Sequence, residues 1–373
     1  MGSPKKIFIL AGEPSGDLQA AKLLKELKFL MPDAIFSGIG GELMKKQGFD
    51  SLVDIQTMSV VGIWEVARKY NYFKKVYDLC KKKLIEENYD LFIPVDYPGF
   101  NIRLGNFARN KGIPVIYYIA PQLWAWGKKR AAKLSSAVDM LLVVFPFETE
   151  FFSSLGIKTY FIGHPMLDES CFMQKAKNYE EREKLIAFLP GSRKQELKRH
   201  FHLVNSTALK LKERFPDYRV AFARSKGLDR YYEEYMKEAN VKWEVFDDTK
   251  VLLATAKVGV IKVGTSTLEA SLLGLPFVMF YKTSYISYKI GKELINLPYI
   301  SLPNILLKKN LVKELFQKDA NSQILLNEIS ELLNNREYYN YVQCEFENLK
   351  SMLGESGASK RAAKIIYDFL YSK

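Results

Sequence analysis

The sequence predicts an α/β protein made of two doubly wound halves, each a parallel sheet wrapped by helices. Three observations carry that expectation. Short apolar, β-rich stretches alternate with longer stretches of helical composition, and the alternation breaks off and restarts once, partway along the chain. The 373 residues, 48% hydrophobic and 26% charged, are enough for two ordinary globular cores and unlike a disordered or fibrous chain.

In the first half the strand candidates are Lys6 to Leu10, Asp90 to Val95, Ile113 to Ile119, Met140 to Phe145 and Thr159 to Gly163. The pattern restarts at Leu185 to Leu189 and continues at Arg219 to Ala223, Lys242 to Phe246, Val258 to Val263 and Pro276 to Tyr281. The polar stretch Asp168 to Arg182 between the halves is the linker candidate, so the domains are expected at residues 1–165 and 166–340. After Leu311 the strand signal vanishes. Leu325, Leu326, Ile329, Leu332 and Leu333 recur at helical spacing, as do Ile365, Ile366 and Phe369 near the end. A helical tail, residues 341–373, is therefore expected to pack back on the first domain. No repeat of 20 to 50 residues is present, which excludes solenoids and propellers.

Fifty-five Lys and Arg against 42 Asp and Glu give a net charge of +13, so partners are expected to be anionic. Nucleic acid, acidic lipid and phosphorylated metabolites all qualify, but no helix-turn-helix or RNP-like motif supports nucleic acid. Cys80, Cys171 and Cys344 are odd in number and far apart, which argues against a disulfide framework or a clustered zinc site and for a reducing, intracellular setting. No apolar run approaches the roughly 18 residues of a membrane-spanning helix, so any membrane contact is expected to be peripheral.

Common nucleotide fingerprints are missing: there is no GxxxxGK[ST], no GxGxxG after the first strand and no Asp-x-Asp for a metal-bridged diphosphate. His164 and Asp168 have the HxxxD spacing of some acyltransferase bases, yet Pro165 between them points to a loop rather than one helix face.

Chemistry concentrates instead where strands pass into helices. Gly12, Glu13, Ser15, Gly16 and Asp17 lie in the first such turn, where glycines allow tight backbone and small polar groups cap a helix or meet a ligand. Asp96 ends a buried strand and is followed by Pro98, Gly99 and Asn101; it either caps the next helix or acts as a base. Gln122 opens a segment in which Trp124 and Trp126 stand beside Lys128, Lys129 and Arg130, a sugar or phosphate lining or plain packing. Gly191, Ser192 and Arg193 open the second half in the same way, a helix N-terminus and a guanidinium suited to a diphosphate. Gly264, Thr265, Ser266, Thr267 and Glu269 form a third junction, where Glu269 either accepts from a ribose diol or completes a capping box with Ser266. Finally, the segment from Thr57 to Lys83 places Val60, Val61, Ile63, Trp64 and Phe73 beside Lys69 and Lys74. That is the composition either of an interfacial membrane segment or of an amphipathic helix packed on the sheet.

The motifs AGEPSGD, VGIWEV, DYPGFN, APQLWAW, FIGHPM, LPGSR, GTSTLE and SLPN occur here in the order seen in the lipid-A-disaccharide synthase family, which the chain resembles from about Lys6 to Asn304. The resemblance implies the GT-B fold, two Rossmann-like domains with an interdomain cleft, and a metal-independent inverting glycosyltransferase without a cofactor. It implies transfer from UDP-2,3-diacylglucosamine to the 6-hydroxyl of 2,3-diacylglucosamine 1-phosphate. By motif, Asp96 resembles the essential carboxylate and Arg193 the essential arginine of the UDP site, joined by Gly191, Ser192, Gly264 to Thr267, Glu269 and Asn304. Gly12 to Asp17, Asn101 and Gln122 would then meet the acceptor. A cytoplasmic enzyme peripherally bound to anionic lipid of the inner membrane, and possible homodimers, belong to the same expectation. Gly99 and Gly127 depart from the common pattern, which has Asp and Arg there. The alternatives within the fold are a UDP-sugar epimerase and the peptidoglycan N-acetylglucosaminyltransferase.

Overall fold

The computed structural model describes residues 3–58, 70–126, 128–284, 288–289 and 297–372. It divides into two compact units, Met1–Asp168 with Leu353–Lys373, and Glu169–Met352.

The first unit is a seven-stranded parallel sheet of β1 (Lys6–Ala11), β2 (Ile35–Ile39), β3 (Asp50–Ser51), β4 (Leu91–Val95), β5 (Ile116–Tyr118), β6 (Met140–Val143) and β7 (Thr159–Phe161), in the order β3-β2-β1-β4-β5-β6-β7. Helices cover both faces, which is why β1, β4 and β6 read as unbroken apolar runs rather than alternating ones. Phe8, Phe92, Tyr117 and Phe152 lie at the centre of its core.

The second unit repeats the design with six parallel strands, β8 (Leu185–Leu189), β9 (Arg219–Ala223), β10 (Glu244–Phe246), β11 (Val258–Lys262), β12 (Phe277–Tyr281) and β13 (Glu314–Phe316), in the order β10-β9-β8-β11-β12-β13. In each sheet the chain starts in the middle, runs outward to one side, then returns to build the other side. The order reverses between β1 and β4 and again between β8 and β11, and in open α/β sheets ligands bind at the carboxyl end of such a switch point.

Three expectations are corrected. The strand signal does not end at Leu311: Glu314–Phe316 pairs with Met279–Tyr281 as an edge strand, only three residues long and too short to show periodicity. The tail that joins the first unit begins at Leu353, not 341. Helix Arg336–Met352 stays with the second unit because Tyr339, Val342, Phe346 and Leu349 are buried there, Phe346 stacked on Phe277. The stretch Asp168 to Arg182 is no free linker either. Arg182 is buried and its guanidinium donates to the carbonyls of Lys177, Leu253, Ala256 and Leu273, closing the C-terminal ends of helices Thr249–Thr255 and Thr265–Leu272.

The tail helix Ala358–Tyr371 is pinned by Asp168, whose Oδ1 accepts from the backbone N–H of Gly357 (2.6 Å) and Ala358 (3.1 Å), an N-cap contributed from a distant part of the chain. Arg361 donates back to the Ile162 carbonyl at 2.7 Å. The buried face of this helix is Ala358, Ser359, Ala362, Ala363 and Ile366, and the four small residues among them let it lie close against helix Pro14–Leu30. Ile365 and Phe369 are only half-buried.

Candidate active site

In the first unit the switch point brings together the turn after β1 and the end of β4, since Ala11 pairs with Val95 and so sets Gly12 beside Asp96. The Tyr97 ring closes on Gly12: a Cβ there would be 2.6 Å from the ring, so only glycine allows the approach. Asp96 and Tyr97 both adopt left-handed backbone, φ 44° and 53°, and Ile119 at the end of β5 follows at 63°. Consecutive non-glycine residues in that region are strained and are held there by their surroundings. Here the Asp96 carbonyl is the anchor, accepting from Asn101 Nδ2 at 2.7 Å and from the Tyr117 hydroxyl. Asp96 thus stands at the carboxyl end of β4, at the switch point. Burial pushes its pKa up, against the opposing pull of the Tyr97 backbone N–H.

Glu13 and Ser15 are exposed on the turn and Gly16 is buried beneath it. Asp17 does not face outward: it is 4% exposed and its carboxylate accepts from the N–H groups of Gly41, Leu43 and Met44, capping helix Glu42–Lys46. Asn101 is fully buried, its Nδ2 donating to the carbonyls of Val95 and Asp96 while its Oδ1 has no hydrogen-bond partner among the described residues. Asp17 therefore builds the turn, and Asn101 anchors it through Nδ2. Gln122 is exposed. Trp124 is packed, its Nε1–H donating 2.8 Å to Glu148, whose other oxygen takes the N–H groups of Val144 and Phe145. Burial pushes the Glu148 carboxyl up to about 7. His164 is no partner of Asp168 in a catalytic dyad, because that carboxylate caps the tail helix and His164 Nδ1 accepts the Met166 N–H at 3.3 Å. Phe73 packs against the core of this unit instead of facing outward, and Lys74 is exposed. Val60, Val61, Ile63, Trp64, Lys69 and Gly127 lie outside the described residues, as do the side chains of Trp126 and Lys128 to Arg130.

In the second unit Leu189 pairs with Ile261, so the Pro190 turn and Lys262 are neighbours at the switch point. Gly191 has φ +131° and opens the turn into helix Lys194–Arg214, with Arg193 at its N-cap position and 63% of that side chain exposed. Gly264 caps helix Thr265–Leu272 at φ +151°. Two cavities open here. One, of about 300 Å³, is walled by Gly191, Ser192, Arg193, Ser225, Lys262, Gly264, Thr265 and Ser266 among others. The second, about 540 Å³, is walled by Asp247, Asp248, Thr249, Lys250, Ser266 and Glu269, and the two share Thr249 and Ser266. Burial raises the Glu269 pKa, with Lys250 pulling it down. Two helix N-termini and two cations beside a carboxylate-bearing recess can hold a phosphorylated ligand with a polyol attached.

Not every expected residue joins this wall. Thr267 is buried and its hydroxyl donates to the Gly264 carbonyl at 2.7 Å; the helix is capped at Gly264, two residues before Ser266, so the Ser266–Glu269 capping box does not form. Asn304 is fully buried and bonded on both sides: Nδ2 to Val312 and Glu314, Oδ1 to the N–H groups of Leu311 and Val312. It ties the chain to the edge strand. Conversely, Lys262, Ser225 and Thr249 line the cavity without having been singled out. A lone lysine ending the apolar run Val258 to Ile261 was the legible signal. Buried His200 links the ends of β8 and β12 through the carbonyls of Pro190 (2.7 Å) and Lys282 (3.0 Å).

A family model described as Lipid-A-disaccharide synthetase matches residues 7–367. The chain belongs to this family. Membership makes it a glycosyltransferase of lipid A disaccharide synthesis. The lipid-A-disaccharide synthase of Trichlorobacter lovleyi is 34% identical over 374 residues, 98% of each chain, and that of Persephonella marina is 32% identical over 99% of this chain and all of its own. Among solved structures, the putative UDP-N-acetylglucosamine 2-epimerase of Listeria monocytogenes superposes with a TM-score of 0.63 at 12% identity over 100% of this chain and 98% of that one. A glycotransferase of kitacinnamycin superposes equally well, TM-score 0.63 at 15% identity over 98% and 99%. At such identities the likeness speaks to fold alone, and the fold class is GT-B. No helix among the described residues is long and apolar enough to cross a membrane.

Proposed function

We propose that the chain transfers 2,3-diacylglucosamine from UDP to the 6-hydroxyl of 2,3-diacylglucosamine 1-phosphate, with inversion at the donor anomeric carbon and without a metal ion. Family membership supports the class of reaction. The observation that carries the mechanism is Asp96, a carboxyl held at the first switch point by strained backbone, with its pKa raised by burial. A group so poised suits removal of the acceptor hydroxyl proton as that oxygen attacks the sugar carbon. The bond to UDP breaks as the new one forms, and the departing diphosphate takes up negative charge. Arg193, the amides at the start of helix Lys194–Arg214 and the Gly264–Ser266 junction offset that charge, a task given to a divalent ion elsewhere. Glu269 is suited to accept from the ribose hydroxyls. Glu13, Ser15 and Gln122, all exposed, are the acceptor-side candidates.

Both substrates are lipids, so we place the enzyme at an anionic membrane surface, with Val60, Val61, Ile63 and Trp64 and the basic Lys69 and Lys74 as the contact. Incubating the purified protein with both diacylated sugars in the presence of EDTA should give disaccharide and UDP in equal amounts. Folded protein that forms neither would overturn the reading, and a requirement for added metal would overturn its metal-free part.

A further inference from the structure

Glu196 lies on the first turns of helix Lys194–Arg214, and its carboxylate gathers three donors from three places. Lys262 Nζ, at the end of β11, is 2.8 Å from Oε1. The Ser192 backbone N–H donates to Oε2 at 3.1 Å, and Arg193 Nη1 is 3.6 Å from Oε1. The Lys262 and Glu196 side chains are only 17% and 13% exposed, where an unpaired charge would be expensive. Gly191 makes room for the carboxylate: a Cβ there would sit 2.6 Å from Glu196 Oε2. Burial pushes the Glu196 pKa up, but Lys262, the Ser192 N–H and Arg193 outweigh it and hold the group ionised.

An ammonium, a guanidinium and a helix-terminal amide around one anionic group are also the donors a phosphoryl group takes at such a turn. Lys262, Ser192 and Arg193 all line the 300 Å³ cavity. Any phosphoryl group bound in that cavity would meet the same three donors that Glu196 now holds.

We propose that Lys262 is a second cation for the donor diphosphate, and that Glu196 is its built-in competitor, positioning Lys262 and Arg193 and yielding them to phosphate when the sugar nucleotide binds. The proposal rests on the second unit being the UDP-sugar site and deepens that reading. The role of Glu196 is to keep two neighbouring cations from repelling one another out of position and to hold down affinity for the spent nucleotide. Removing its charge leaves the same amide and cations with a neutral partner, so UDP should bind more tightly. Removing the ammonium should weaken binding by about tenfold or more, the scale of one charge-assisted hydrogen bond.

The test is calorimetric titration of the full chain with UDP, UMP and uridine, alongside thermal melting of each variant. Lys262→Met should bind UDP about tenfold more weakly, with uridine affinity unchanged, and Lys262→Arg should recover most of the loss. Glu196→Gln should bind UDP several-fold more tightly. If Lys262→Met melts early, the Glu196→Gln result still decides the matter. Wild-type affinity for UDP in Lys262→Met, or weaker UDP binding by folded Glu196→Gln, would overturn the proposal and leave the donor site standing. Failure of the wild type to bind UDP would instead bring down the donor-site reading and this proposal together.

Discussion

Asp96 combines two features that rarely serve stability: left-handed backbone at φ 44° and a carboxyl whose pKa burial has raised. A carboxyl with a raised folded-state pKa contributes stability below its ordinary range, and that contribution is lost as pH rises through the folded value, so at neutral pH the ionised form costs stability. Asparagine is uncharged, nearly isosteric and at ease in left-handed backbone. Asp96→Asn should therefore raise the melting temperature at pH 7 while lowering turnover by about 10² or more, the scale of a positioned base. Full activity, or a lowered melting temperature, would remove Asp96 from the proposed role. Asp17, Asn101 and Asn304 show where reading at this scale stops. A small polar residue at a strand end looks the same in sequence whether its partner is a ligand or a distant backbone amide. Only the fold reveals that Asp17 spends its oxygens on the Gly41 to Met44 amides.

At the scale of elements the sequence was most legible where burial is two-sided. Leu185–Leu189 and Arg219–Ala223 are strands over the same residues their apolar runs suggested, because a strand covered on both faces leaves little room for polar residues. Asp50–Ser51 and Glu314–Phe316, short edge pieces with one neighbour each, leave no such trace. The helix Tyr70–Glu86 turns Val76, Cys80 and Leu84 inward and leaves Lys74 and Lys75 exposed, as an amphipathic helix packed on a sheet would. That leaves Val60, Val61, Ile63 and Trp64 as the apolar part of the proposed membrane contact. Replacing these four by Ser should move the protein from the membrane to the soluble fraction of a cell lysate, and an unchanged distribution would mark the segment as core.

Across the whole molecule, doubly wound order in both sheets puts the motifs at two switch points, so general rules for α/β folds and local sequence agreed on where chemistry sits. The interrupted first unit was less legible, since the Asp168 cap and the Arg361 contact that recruit the tail join residues far apart in sequence. The same unit carries two opposed titrations between Val144 and Asp168. Glu148, raised to about 7, is more protonated in the folded chain than in the unfolded one, so its stabilising effect is lost as pH rises from about 4.5 to 7. His164, lowered to about 4 by burial, stays neutral while the unfolded chain takes a proton below about 6.5, so its contribution is lost as pH falls from there. Between about 4.5 and 6.5 the two slopes cancel, each worth about 1.4 kcal/mol per pH unit at most. Relative to wild type, His164→Asn should make stability in urea fall more steeply with rising pH in this window, and Glu148→Gln should make it rise. Parallel pH profiles for all three proteins would contradict these assignments.

The central proposal is a single in-line displacement at the donor sugar carbon. The most direct measurement is the configuration of the product linkage by proton NMR, after reaction of UDP-α-2,3-diacylglucosamine with 2,3-diacylglucosamine 1-phosphate. The account predicts a β-1′,6 disaccharide and one UDP per linkage formed. An α linkage, or attachment at any hydroxyl other than the 6-hydroxyl, would contradict it.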